Sequence, residues 1–109
     1  MIRPVIKSVI TLSALLLALS PAVTLAADGA ALYKSKTCTA CHGKDAKTPL
    51  MPTYPKIAGQ NADYALQQMK DIKSGARSNG MSAAMKGVMH LVSDEEMKAL
   101  ADYVASLAP

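Results

Sequence analysis

The chain has 109 residues, 50% of them hydrophobic and 18% charged, with a formal net charge of +4 and only two cysteines. That length allows one domain and no more. Lysines are interspersed with acidic residues rather than gathered into blocks, which excludes an evident nucleic-acid-binding surface.

Residues 1–26 read as a secretory signal peptide. Arg3 and Lys7 precede an apolar run from Val9 to Leu19, Ser20 and Pro21 break it, and Thr24 and Ala26 are small residues suited to cleavage before Ala27. The competing reading is an uncleaved anchor, because Val9 to Ala27 is uncharged and just long enough to cross a bilayer. Pro21 and the small residues beyond it favour cleavage, and either reading exports the rest of the chain. Residues 27–109 then form the working domain, with no membrane insertion expected once the signal is cut. Without Arg3 and Lys7 it carries ten basic residues against eight acidic ones, a net charge of +2. It has four Tyr but no Phe or Trp, so its core is thin and needs a disulfide, a metal or a large apolar cofactor as a staple.

Four stretches read as helical, and nothing alternates with period two for long enough to make a strand, which indicates an all-α domain. Asp28 to Lys36 is a short helix with Leu32 and Tyr33 on its apolar side, and it runs into a helical turn holding the cysteines. Residues 43–60, with three prolines and two glycines, are loop. Asn61 caps a helix through Ser74 whose apolar face is Ala62, Ala65, Leu66, Met69 and Ile72, and Gly75 closes it. Gly80 to Val92 reads as a methionine-rich connection. The last helix starts on Ser93 with Glu96 at N3 and buries Met97, Leu100, Ala101, Val104 and Leu107.

The chemistry concentrates in TCTACHGKD, residues 37–45, which places Cys38, Cys41 and His42 within five positions. A thiol–disulfide site would need this C-x-x-C at a helix N-terminus beside strands, and no strands are evident. A zinc site would have to recruit His90, the one other histidine, and neighbouring Cys41 and His42 do not readily face a single ion. Covalent haem attachment has the matching signature, C-x-x-C-H. On one helical turn, residues three and four apart share a side, so both sulfurs reach one porphyrin and the His42 imidazole reaches its iron.

From about Gly29 onward the chain resembles a class I bacterial cytochrome c, both the short single-haem periplasmic type and the halves of dihaem relatives. The stretches that carry the resemblance are CTACHGKD, YPKIAGQ, YALQQMKDIKSGARSN and LVSDEEMKALADYVASL. It implies an all-α fold wrapped around one covalent haem c, with the N- and C-terminal helices crossing at Gly29, Tyr33, Leu100 and Tyr103. Cys38 and Cys41 would carry the haem and His42 would ligate the iron. Counted back from Ser93, the family's spacing puts the sixth ligand at Met85, with Met81 and Met89 as alternatives and His90 as a bis-histidine variant. Met69 and Met97 suit core packing instead. By the same resemblance the Pro49 carbonyl accepts the His42 ring N–H, Arg77 neutralises a haem propionate, and Tyr54 and Gln60 share its wall.

The implied function is that of a periplasmic one-electron carrier, not an enzyme, with histidine and methionine closing both axial positions. Donor and acceptor would be redox proteins meeting a rim of Lys44, Lys47, Lys56 and Lys86, and the chain would be a monomer or one subunit of a redox complex. Two alternatives keep the haem: a subunit of a periplasmic dehydrogenase complex, or a ligand-binding sensor if the sixth position is open.

Overall fold

Asp28 starts the first helix, α1 (Gly29–Ser35), by accepting hydrogen bonds from the backbone N–H groups of Ala30 and Ala31 at 3.0 and 3.3 Å. Lys36 ends it, and Thr37 turns the chain into a five-residue helix, α2 (Cys38–His42), which holds the whole cysteine motif. The computed structural model describes residues 27–109, so the signal-peptide reading of residues 1–26 lies outside the described residues.

The long helices keep the expected ends. In α3 (Ala62–Ser74) the Asn61 side chain accepts from Tyr64 N at 3.0 Å, and Gly75 closes the helix in the left-handed conformation at φ 88°. In α5 (Asp94–Ser106) the Ser93 hydroxyl and the Glu96 carboxylate bond each other's backbone N–H groups, a complete capping box. Between them lies an element the sequence reading treats as a connection: α4 (Ser82–Met89). No strand occurs among the described residues, and the domain is all-α as expected.

α5 packs against both α1 and α3, while α4 packs on α3. Met97, Leu100, Ala101 and Val104 are buried along α5, as their spacing predicts, and Leu107 is half-buried just past its end. On α3 only Met69 and Ile72 are fully buried. Fully burying an aliphatic side chain of this size contributes about 1.5–3 kcal/mol.

α1 meets α5 where Gly29 and Tyr103 were expected to touch. A Cβ on Gly29 would lie 2.6 Å from the Tyr103 Cβ and collide with the Ala99 carbonyl oxygen, so only glycine allows this approach. The Tyr33 and Tyr103 rings meet beside it at a tilt of 51°, with centroids 5.5 Å apart. Gly29→Ala should therefore cost roughly 1–3 kcal/mol of stability through overpacking. A lowered midpoint in denaturant with an unchanged slope would show this, and a wild-type midpoint would mean the crossing is not tight.

Candidate functional site

A five-residue helix does not persist by itself, so the shape of α2 is imposed from outside. Thr37 enters it with φ 63°, a left-handed conformation that is costly for a β-branched residue. The Tyr33 hydroxyl donates to the Gly43 carbonyl at its exit, and burial pushes the Tyr33 phenol up to about 12. Leu50 N donates to the Cys41 carbonyl at 3.0 Å.

His42 is buried, and its Nδ1 lies 2.8 Å from the Pro55 carbonyl oxygen. A carbonyl can only accept, so Nδ1 carries the proton and the Nε2 lone pair is left for a metal. This corrects the expectation that Pro49 plays this part. At Leu50 the chain is already bonded to the α2 backbone, and it returns to the histidine ring only after a further turn. The Ala46 carbonyl accepts from Ile57 N and Ala58 N at 2.8 and 3.0 Å, folding the loop back so that Pro55 lies under the imidazole. Pro55 belongs to YPKIAGQ, a stretch that carries the family resemblance, and that was the signal available in the sequence.

Beside α2 opens a cavity of about 370 Å³ lined by Cys38, Cys41 and His42, with walls from the 53–60 loop and from α3, α4 and α5. Tyr33, Met69, Ile72, Met89, Leu100 and Val104 belong both to this wall and to the buried core, so cavity and core are one apolar body. Met81, Met85 and Met89 all line it, as residues four apart along one helical face should. Met81 is 47% exposed at the start of α4 and Met89 is 1% exposed in the core, which leaves the half-buried Met85 between them. Met51 and His90 are exposed and outside the lining, and Met97 is buried away from it.

Arg77, Tyr54 and Gln60 join the lining as expected. The Arg77 guanidinium is held by Gln68 Oε1 at 2.9 Å and Asn79 Oδ1 at 3.4 Å. Among the described residues no carboxylate pairs with it, so its charge remains available to an anionic group. Gln68 is a lining residue that the sequence reading missed, since nothing in its spacing distinguishes it from a solvated helix residue. Of the four rim lysines only Lys56 lines the cavity; Lys44 and Lys47 are exposed elsewhere and Lys86 is half-buried.

Cys38 and Cys41 are not joined to each other, and burial pushes the Cys38 thiol, before any attachment, up to about 11. A protonated thiol is a poor nucleophile for disulfide exchange. Among the described residues no three of His, Cys, Asp and Glu converge on a point that could hold a metal ion, so a tetrahedral zinc set finds no geometric support. Two thiols, an imidazole with a free Nε2, a thioether and an unpaired guanidinium around an apolar cavity do fit haem, which offers an apolar plane, an iron and carboxylates.

Residues 26–108 match the family described as cytochrome c. The chain belongs to the cytochrome c family. It is 41% identical over 91 residues to cytochrome c-553 of Nitratidesulfovibrio vulgaris, covering 84% of this chain and 87% of that protein. It is 42% identical over 73 residues to cytochrome c4 of Pseudomonas aeruginosa, covering 67% of this chain and 34% of that protein. It is 39% identical over 83 residues to the thiosulfate dehydrogenase electron acceptor of Stutzerimonas stutzeri, covering 70% of this chain and 37% of that protein. The cytochrome thus spans most of the first relative and about a third of the other two. Its cofactor is one covalently attached haem c with its iron, and it is an electron carrier of the class I type.

Asp45 stabilises the turn that follows the motif of this cytochrome. Its carboxylate accepts from Lys47 N, Thr48 N and the Thr48 hydroxyl at 2.9–3.0 Å, and these bonds, the one from Lys47 first, hold its pKa below the usual value. A carboxyl lowered on folding contributes stability above its unfolded pKa of about 3.9, lost as pH falls through the folded value. Asp45→Asn should therefore be less stable than wild type at neutral pH, with the gap closing below about pH 4. Denaturant titrations across that range check this; a gap that does not change with pH would assign the loss to shape rather than charge.

Proposed function

We propose that the cytochrome is a periplasmic carrier in which Cys38 and Cys41 hold the haem by thioether bonds, His42 Nε2 is one iron ligand and Met85 the other. The observation that carries this reading is that both thiols, His42 with Nδ1 engaged on Pro55, and Met85 line one and the same cavity. When bound, the haem supplies a reversible one-electron couple at its iron.

The chain's own residues then have separable tasks. Cys38 and Cys41 keep the cofactor through each redox cycle and staple a small core. Pro55 fixes the ring orientation of His42 and raises its basicity. The soft thioether of Met85 favours the ferrous state and, with His42, leaves no open position for oxygen or substrate. Arg77, steadied by Gln68, offsets the anionic edge of the porphyrin. Lys56, at the cavity, is the rim charge best sited to meet a partner, and such contacts are small and salt-sensitive.

Residues 1–26 deliver the chain to the periplasm, a proposal supported by their charged, apolar and small-residue order. Among the described residues no helix is long and apolar enough to cross a membrane. A second reading, acceptor for a periplasmic dehydrogenase, is favoured by the relative named as a thiosulfate dehydrogenase electron acceptor. Co-purification with a larger redox subunit would select it over a free carrier.

The test is a haem-stained denaturing gel with absorption spectra of the exported protein. Wild type should keep its pigment on the gel, and Cys38→Ala with Cys41→Ala should lose it. Met85→Ala should lose the weak long-wavelength ferric band of methionine ligation and bind carbon monoxide when reduced. Retention of that band would move the ligand to Met81 or Met89.

A further inference from the structure

By its own sequence α4 is an insecure helix, yet it carries Met85. It is eight residues long, contains Gly87, and begins on Met81 with no side-chain cap. Such a segment does not stay helical alone. Its hold lies at the other end. His90 N, Leu91 N and Val92 N donate to the carbonyls of Lys86, Val88 and Met89 at 3.1, 3.0 and 3.1 Å, winding the chain into a corner before Ser93.

The next backbone groups of that corner are taken by three different helices. The Leu91 carbonyl accepts from Lys36 Nζ at 2.7 Å, and Lys36 is the C-cap of α1. The Val92 carbonyl accepts from Lys73 Nζ, and Lys73 lies in the last turn of α3. Ser93 N donates to Glu96 Oε1 of α5, while Glu96 Oε2 lies 3.6 Å from Lys36 Nζ. Bonds from an ammonium are roughly twice as strong as neutral ones, and a cation near a helix C-terminus also meets its dipole favourably.

We propose that Lys36 and Lys73 are positioning residues for Met85. By holding two consecutive carbonyls just past α4, they fix both where its C-terminal end lies and how the helix is rotated about its axis. With either bond gone, α4 can roll on the buried Met89 and Val92 and carry Met85 away from the position it needs in the cavity. The consequence for the iron rests on the reading of Met85 as its ligand; the clamp on α4 does not.

The experiment compares holoprotein of wild type, Lys36→Met, Lys73→Met and Met85→Ala by backbone hydrogen exchange and ferric absorption. Each lysine variant should exchange the His90, Leu91 and Val92 amides about tenfold faster or more, with α3 and α5 amides near wild type. Each should also show a weakened methionine band. Unchanged exchange at the corner, or equal acceleration in α3 and α5, would overturn the clamp; faster corner exchange with a full-strength band would overturn the positioning of Met85. If Lys73→Met does not fold, Lys36→Met carries the same comparison from a position outside the core. Met85→Ala separates the two readings: a retained band there sinks the ligand assignment, while the exchange data still judge the clamp.

Discussion

The site depends on how a five-residue helix is held. α2 carries two thiols and an imidazole on little more than one turn, and so short a helix has too few internal hydrogen bonds to define their directions. Three bonds from outside do so: Tyr33 to the Gly43 carbonyl, Leu50 to the Cys41 carbonyl, and His42 to the Pro55 carbonyl. The last has chemical as well as structural effect. By occupying Nδ1 it determines which nitrogen faces the cavity and how basic that nitrogen is.

The rest of the fold serves the same end through apolar packing. Six buried side chains form part of the core and of the cavity wall together, so the domain has no separate core to which a cofactor site was added. The described residues contain no Phe or Trp and are short of apolar surface, and a covalent cofactor offsets that shortage. The crossing of α1 and α5 at Gly29 closes the assembly and brings Tyr33, the partner of the α2 exit, against Tyr103. The contact between the first and last described helices thereby also supports the motif.

The loop from Gly43 to Gln60 shows how polar groups replace apolar packing where the chain is irregular. Ala46 is fully buried with φ 58°, a conformation unusual for alanine, and its carbonyl takes two backbone donors from residues 57 and 58. Asp45 gathers three donors from two residues, Lys47 and Thr48. These bonds decide where the prolines end up, which spacing along the chain could not.

Much was determined by the sequence alone. The ends of α1, α3 and α5 follow from Asp28, Asn61, Gly75 and the Ser93–Glu96 box, because caps act within three or four residues and can be read locally. The C-x-x-C-H signature pointed to haem, its spacing being that of one helical turn, and the choice of Met85 came from the family resemblance. Tertiary structure decided the rest. α4 is only eight residues long with no side-chain cap at its start, and lysines from the ends of α1 and α3 bond the corner just beyond it. Pro55 replaced Pro49 because the choice among three loop prolines depends on a turn closed by residues 46, 57 and 58. Gln68 steadies Arg77 across nine residues by the same kind of non-local contact. Local hydrogen bonds and periodicity are written in neighbouring residues, whereas the partner of a loop carbonyl is selected only when the whole chain has folded.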